Sequence, residues 1–111
     1  MANDTQANVQ RIVDLVHCSV DAPLRLTELG ELAGWSAFHL QRVFKAATGH
    51  SPAQRVRLLR LKRASMRLAM EPWRRVTDIA LEAGYESGDS FSRAFRREMR
   101  QSPRKFRQHP D

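Results

Sequence analysis

An internal repeat constrains this chain more than any other feature. Residues 27–55 read TELGELAGWSAFHLQRVFKAATGHSPAQR, and residues 77–107 read TDIALEAGYESGDSFSRAFRREMRQSPRKFR. Thr27 matches Thr77, Ala33 matches Ala83, Gly34 matches Gly84 and Trp35 pairs with Tyr85, all 50 positions apart. Arg42 then matches Arg93, Phe44 matches Phe95, Ser51 matches Ser102 and Pro52 matches Pro103, now 51 positions apart. The second copy therefore carries one extra residue between Tyr85 and Phe91. Two copies of one small unit, separated by a basic segment, imply one task performed at two places.

At 111 residues the chain is one domain or two very small ones. Neither copy alone can bury much apolar surface, so the copies are expected to share a spine. Charge narrows the task. With 19 Lys and Arg against 12 Asp and Glu, the net charge is +7, a balance that favours nucleic acid or another anionic surface over an acidic small substrate. The distribution says more than the sum. Residues 1–31 hold five acids and two bases, whereas no acid at all lies between Glu31 and Glu71, where there are eight bases: Arg42, Lys45, Arg55, Arg57, Arg60, Lys62, Arg63 and Arg67. Residues 93–107 hold seven bases and only Glu98. Solvated faces usually mix both signs. A single Cys18 excludes an internal disulfide and suits a reducing compartment. No apolar run approaches the ~20 residues that span a bilayer, and the N-terminus shows no secretory pattern; a cytoplasmic protein is expected.

The periodicity is helical throughout, with no strand-like alternation, so the expected class is all-α. Val9, Ile12, Val13 and Val16 mark an amphipathic helix over about 4–19, with Asp4 as N-cap, and Asp21-Ala22-Pro23 breaks it. Thr27 is expected to cap a short helix burying Leu29, Leu32 and Ala33, which ends at a left-handed turn on Gly34. Ser36 then caps a helix over about 37–48 that closes at Gly49. Ser51-Pro52 opens a long helix to about Met70, with proline at the first helical position, and Glu71-Pro72 stops it. The second copy repeats the plan: Thr77 to Ala83, a turn at Gly84, a helix from about Gly88 to Arg100, and a short one after Pro103. A short helix, a glycine turn and a second helix make a helix-turn-helix, and here there are two. The expected layout, about seven helices, is an N-terminal helix plus first helix-turn-helix over 1–50, a linker helix over 51–71 and a second helix-turn-helix over 72–111.

The second helix of such a unit enters the major groove, and its early residues reach base edges. On a wheel of residues 37–48, Leu40, Val43, Phe44 and Ala47 fall on the core side, and Phe38, Gln41, Arg42 and Lys45 on the other. Arg42 suits guanine O6 and N7, Gln41 suits adenine N6 and N7, and Lys45 suits a phosphate. Phe38 either touches a thymine methyl or the sugar backbone, or packs on a neighbouring loop. Ser36 and His39 are further phosphate candidates. The second copy replaces the core face by Phe91, Ala94 and Phe95, and the outer face by Asp89, Ser92, Arg93 and Arg96. Asp89 either favours the helix N-terminus through the dipole or accepts from cytosine N4. Ser92 is a short, permissive reader, and Arg93 stands where Arg42 stood. Ser90, Arg96, Arg97 and Arg100 are assigned to phosphates, contacts that hold register without reading sequence. The first copy is thus expected to carry more sequence information. In the long helix, Arg60, Arg63 and Arg67 share one side, Leu58, Leu61 and Leu68 lie away from them, and Val56, Leu59, Met66 and Met70 extend an apolar arc packed from more than one side. About 18 residues span about 27 Å, short of the ~34 Å of a duplex turn, so bent DNA is expected.

Two segments carry a resemblance. HLQRVFKAATGHSP and GYESGDSFSRAFRREMRQSPRKFR resemble, in order and spacing, the two recognition segments of the AraC/XylS family of bacterial transcription regulators, and the resemblance covers nearly the whole chain. In size and layout the chain is similar to the stand-alone MarA/SoxS/Rob-type activators. The resemblance implies monomeric binding to an asymmetric, bipartite double-stranded promoter site, with recruitment of RNA polymerase. It implies base contacts at Phe38, Gln41 and Arg42, and at Gly88, Asp89, Ser92 and Arg93. Gly88 and Asp89 depart from the glutamines usual near those positions. No ligand-sensing domain accompanies the repeats, so control by abundance and no cofactor are expected.

Competing readings are weaker. His17, His39, His50, His109 and Cys18 show no metal-ligand spacing, and no nucleophile–base pattern or phosphate-cradling glycine loop appears, so an enzyme is not expected. The methionines sit at helical spacing and read as core. A helical adaptor acting mainly through protein partners, with an acidic face bearing Asp4 and Asp14, remains the alternative, as does the DNA-binding part of a longer regulator.

Overall fold

The computed structural model describes residues 2–110, with side chains described for residues 6–110. Among these the chain forms α1 (Ala2–Cys18), α2 (Leu26–Ala33), α3 (Ala37–Thr48), α4 (Pro52–Met70), α5 (Val76–Glu82), α6 (Gly88–Met99) and α7 (Pro103–Gln108), and no strand. The all-α class and the seven helices agree with the sequence expectation. The chain divides into two compact units, Met1–Leu59 and Arg60–Asp111.

In the first unit, Ile12 and Val16 of α1, Leu29 of α2, Leu40 and Phe44 of α3 and Val56 of α4 form one buried cluster, with Leu24, Leu26 and Trp35 packed around it. Burying an aliphatic or aromatic side chain of this size stabilises by about 1.5–3 kcal/mol. The first helix-turn-helix closes at Gly34, whose φ of 73° is left-handed, a region that costs other residues a clash at Cβ. That turn folds the backbone back so that the Trp35 N–H donates to the Gly30 carbonyl at 2.8 Å. The approach is close: a Cβ on Gly30 would lie 2.4 Å from the Trp35 carbonyl oxygen. The sequence reading missed this role of Gly30. In the second copy Ala80 occupies that position, fully buried, and accepts from the Tyr85 N–H at the longer distance of 3.1 Å.

Several expectations change. Thr27 and Thr77 are not caps. Arg25 and Arg75 hold the extended cap positions, without a side-chain capping bond, because Leu26 and Val76 pack on their cores and draw each helix start before the threonine. Leu32 is 57% exposed; the buried face of α2 runs through Leu29 and Gly30 instead. Ala47 is exposed, since the core narrows at the end of α3. Met66 and Met70 are 60% and 74% exposed; α4 buries Pro52, Val56, Leu61, Ala64, Ser65 and Leu68, so of the extended arc Val56 is buried and the two methionines are not. The Asp4 side chain lies outside the described residues, and α1 already begins at Ala2.

In the second unit, Leu61, Ala64 and Leu68 meet Ile79, Ala80, Ala83, Phe91, Ala94 and Phe95. Aromatic rings run through it: Tyr85 to Phe91, Phe91 to Phe95 and Phe95 to Phe106, each pair with centroids 5.5 Å apart, within the favourable range for tilted or edge-on rings. Pro72 has no N–H to continue α4, and it restricts Glu71 before it. The carbonyls released there go to one side chain. The Arg107 guanidinium donates to the carbonyls of Leu68 at 2.9 Å, Arg74 at 2.7 Å and Glu71 at 3.3 Å. It pins α7 to the α4–α5 loop and satisfies the negative end of α4. Beside it, Glu82 pairs with Arg67, accepts from Arg74 at 2.6 Å, and Arg74 also approaches Glu71 at 3.6 Å. Arg67, Arg74 and Arg107 are thus committed inside the unit.

Changing Arg107 to Ala removes three charge-assisted bonds to backbone and is expected to destabilise the chain by about 2–3 kcal/mol in urea unfolding. Lysine at 107 is expected to recover only part of that, because one ammonium cannot span a planar fork of three acceptors.

Candidate nucleic-acid interface

Helix α3 starts where sequence reading placed it. Ser36 is extended, and its hydroxyl accepts from the His39 N–H at 3.1 Å. With the core face taken by Leu40 and Phe44, the remaining face carries Phe38, Gln41, Arg42 and Lys45, all exposed. Phe38 is 70% exposed, so it does not pack into a loop; the Arg42 guanidinium lies 5.8 Å from its ring centroid. His39 packs edge-on against Trp35 with centroids 5.2 Å apart, which fixes it at the start of the helix. No acidic residue occurs in α3, and Lys45 stands in its last turn, where a cation is favoured.

Helix α6 is built alike. Ser87 caps it, and a capping box is completed by Ser90: the Ser87 hydroxyl accepts from the Ser90 N–H at 3.1 Å, and the Ser90 hydroxyl accepts from the Ser87 N–H at 3.3 Å. The two caps locate the extra residue of the second copy. Trp35 and Tyr85 are 50 apart and Ser36 and Ser87 are 51 apart, so the insertion is Glu86, in the turn and outside the helix. The register of α6 against α3 is therefore preserved residue for residue, with Arg93 at the place of Arg42. Asp89, Ser92, Arg93, Arg96 and Arg97 line one surface hollow of about 430 Å³, which brings together five of the seven residues assigned to α6. Of the other two, Ser90 serves the cap, and Arg100 follows the helix as its C-cap.

Arg100 has φ 62°, the left-handed conformation, and its N–H donates to the Arg96 carbonyl at 2.8 Å. In the first copy the same cap is Gly49, φ 84°. A side chain there carries backbone strain of about 1–2 kcal/mol, yet the copy with the more basic helix has an arginine. Missed by the sequence reading are Arg75, which was not considered, and Arg104, counted only as charge. Both are exposed and border a second hollow of about 430 Å³ with Thr77 and Gln108. For Arg104 the available signal was its place directly after the Ser102-Pro103 helix start; the start at Arg75 carries no serine or proline. Among the described residues no group of His, Cys, Asp and Glu could hold a metal ion, and no helix is long and apolar enough to cross a membrane.

Two helix-turn-helix units, each presenting the exposed face of its second helix with arginine in the same register, define a double helix-turn-helix DNA-binding domain. Comparison with known proteins specifies it. Residues 29–109 match the family model described as a helix-turn-helix domain. The chain is 32% identical to the regulatory protein SoxS of Salmonella typhimurium, over 92% of this chain and 94% of that protein. It is 37% identical to the right origin-binding protein of Escherichia coli strain K12 over 83% of this chain, which spans only 32% of that protein's length. A crystal structure of an AraC-type transcriptional regulator from Chromobacterium violaceum superposes with a TM-score of 0.81 at 28% identity, covering 96% of both chains. The chain belongs to the AraC-type helix-turn-helix family of DNA-binding transcription regulators.

Replacing Arg100 by Gly should act in opposite directions on stability and binding. The melting transition is expected to rise, by up to about 1 kcal/mol of added stability, because glycine relieves the left-handed cap. The slope of log affinity against log salt is expected to shrink by about 0.9, one phosphate contact. A higher melting temperature with an unchanged slope would remove Arg100 from the interface.

Proposed function

We propose that this chain is a sequence-specific regulator of transcription that binds an asymmetric, bipartite double-stranded site as a monomer, with one recognition helix per box in successive major grooves. The observation that carries the reading is the register match of Arg42 and Arg93 on exposed, serine-capped helices. Arg42 and Gln41 read base edges in the first box. The α6 face, with Arg93, Ser92 and Asp89, reads the second box less strictly, and Arg96, Arg97 and Arg100 hold its phosphates, as Lys45, Ser36 and His39 do in the first. The protein acts in the cytoplasm at the nucleoid, without a cofactor, as an activator that engages RNA polymerase. The names of its relatives support regulation of transcription. An adaptor working through protein partners alone would need no such pair of arginine-bearing faces.

Selection of bound duplexes from a randomised pool at near-physiological salt tests the reading. One strong box beside a weaker one about a helical turn away is expected, with one chain per duplex in sedimentation. Arg42→Ala should weaken the selected site by about 1–3 kcal/mol and relax one base position. No enrichment would shift the weight to the adaptor reading.

The sign of regulation is read separately. Transcription by purified polymerase, from a promoter carrying the selected site, is expected to rise when the chain is added; a fall would make it a repressor.

A further inference from the structure

Phe38 is a large ring that the fold does not use. It is 70% exposed on a helix whose core positions are already filled by Leu40 and Phe44. Its one recorded neighbour of consequence is the Arg42 guanidinium, one turn along the same face, 5.8 Å from the ring centroid. That distance lies inside the range of cation–π attraction. Arg42 has no competing claim: it makes no hydrogen bond or ion pair among the described residues, and α3 holds no carboxylate to take it.

We propose that Phe38 is a positioning residue, which reads no base itself but holds Arg42 extended along α3 so that the guanidinium arrives at its guanine already oriented. The inference deepens the proposed function and rests on it. The chemistry fits the division of labour. A guanidinium stacks on an aromatic ring through its flat face, while its five N–H donors point outward in the plane of the group. Stacking therefore leaves the donor edge free for the O6 and N7 of guanine. A long side chain loses much rotamer freedom when it docks, and one held in place beforehand loses less, which raises affinity without any new contact to DNA. The second copy supplies the contrast: Asp89 stands in the register of Phe38, so the position four residues before Arg93 carries a carboxylate and not a ring. The two copies thus carry the same arginine with and without a platform.

A double-mutant cycle on DNA affinity decides it, using the selected duplex and the same duplex with the Arg42 guanine replaced. Phe38→Leu is expected to weaken the selected duplex about two- to thirtyfold, the range of a cation–π contact. On the duplex lacking the guanine, or in an Arg42→Ala background, the same change should alter affinity less than about twofold, the sign of two residues acting as one. Phe38→Trp should restore binding, because tryptophan offers the better ring. Melting temperatures of all variants are expected to match the parent, since the ring is outside the core. Additive losses, or a lost preference at a base other than that guanine, would overturn the proposal and make Phe38 a direct reader. An Arg42→Ala variant that binds normally would instead overturn the readout model on which it rests.

Discussion

Everything on the exposed faces of α3 and α6 depends on one backbone contact made twice. In each copy the residue after the left-handed glycine turns its N–H back onto a carbonyl of the preceding helix, from Trp35 to Gly30 and from Tyr85 to Ala80. That bond fixes the angle at which the second helix leaves. Once the angle is set, Leu40 and Phe44, or Phe91 and Phe95, have only one direction in which to bury, and Arg42 and Arg93 are left facing out. The positions of the arginines thus follow from a turn, although nothing in the turn is itself basic.

Charge is divided between two duties that composition alone does not separate. Arg67, Arg74 and Arg107 sit inside the second unit, bonded to Glu82, Glu71 and three backbone carbonyls. They hold a small core together where a longer chain would use more apolar surface. Arg93, Arg96 and Arg97 line an open hollow and have no such occupation. Basic residues of this chain thus divide into those the fold engages and those that line an open surface.

Sequence reading recovered α3 and α4 nearly to the residue, because serine caps and proline starts act locally and Gly34 and Gly49 mark the ends of α2 and α3 by a conformation that few other residues adopt. It failed where tertiary packing decides. Thr27 has the right chemistry for a cap, but Leu26 needs to be helical to reach the core. Leu32, Met66 and Met70 have the right spacing for burial, but the cores are too small to take every apolar side chain on the wheel. Nothing in the periodicity marks Gly30, whose Cβ position the Trp35 carbonyl oxygen takes up. The outward set on α3 and α6 was legible because it is the complement of a strong core pattern. The approach of the Arg42 guanidinium to the Phe38 ring was not, since periodicity tells which face a side chain occupies but not what lies across it.

The two buried clusters have no residue in common, although one helix feeds both, Val56 in the first and Leu61, Ala64 and Leu68 in the second. Substitutions in separate cores are close to independent in their effects. Such an architecture lets heredity edit one unit while the other keeps its fold. Asp89 in the second copy, where the first has an aromatic ring, is the kind of divergence this permits: after a duplication, one half can change its exposed face while the other keeps its own.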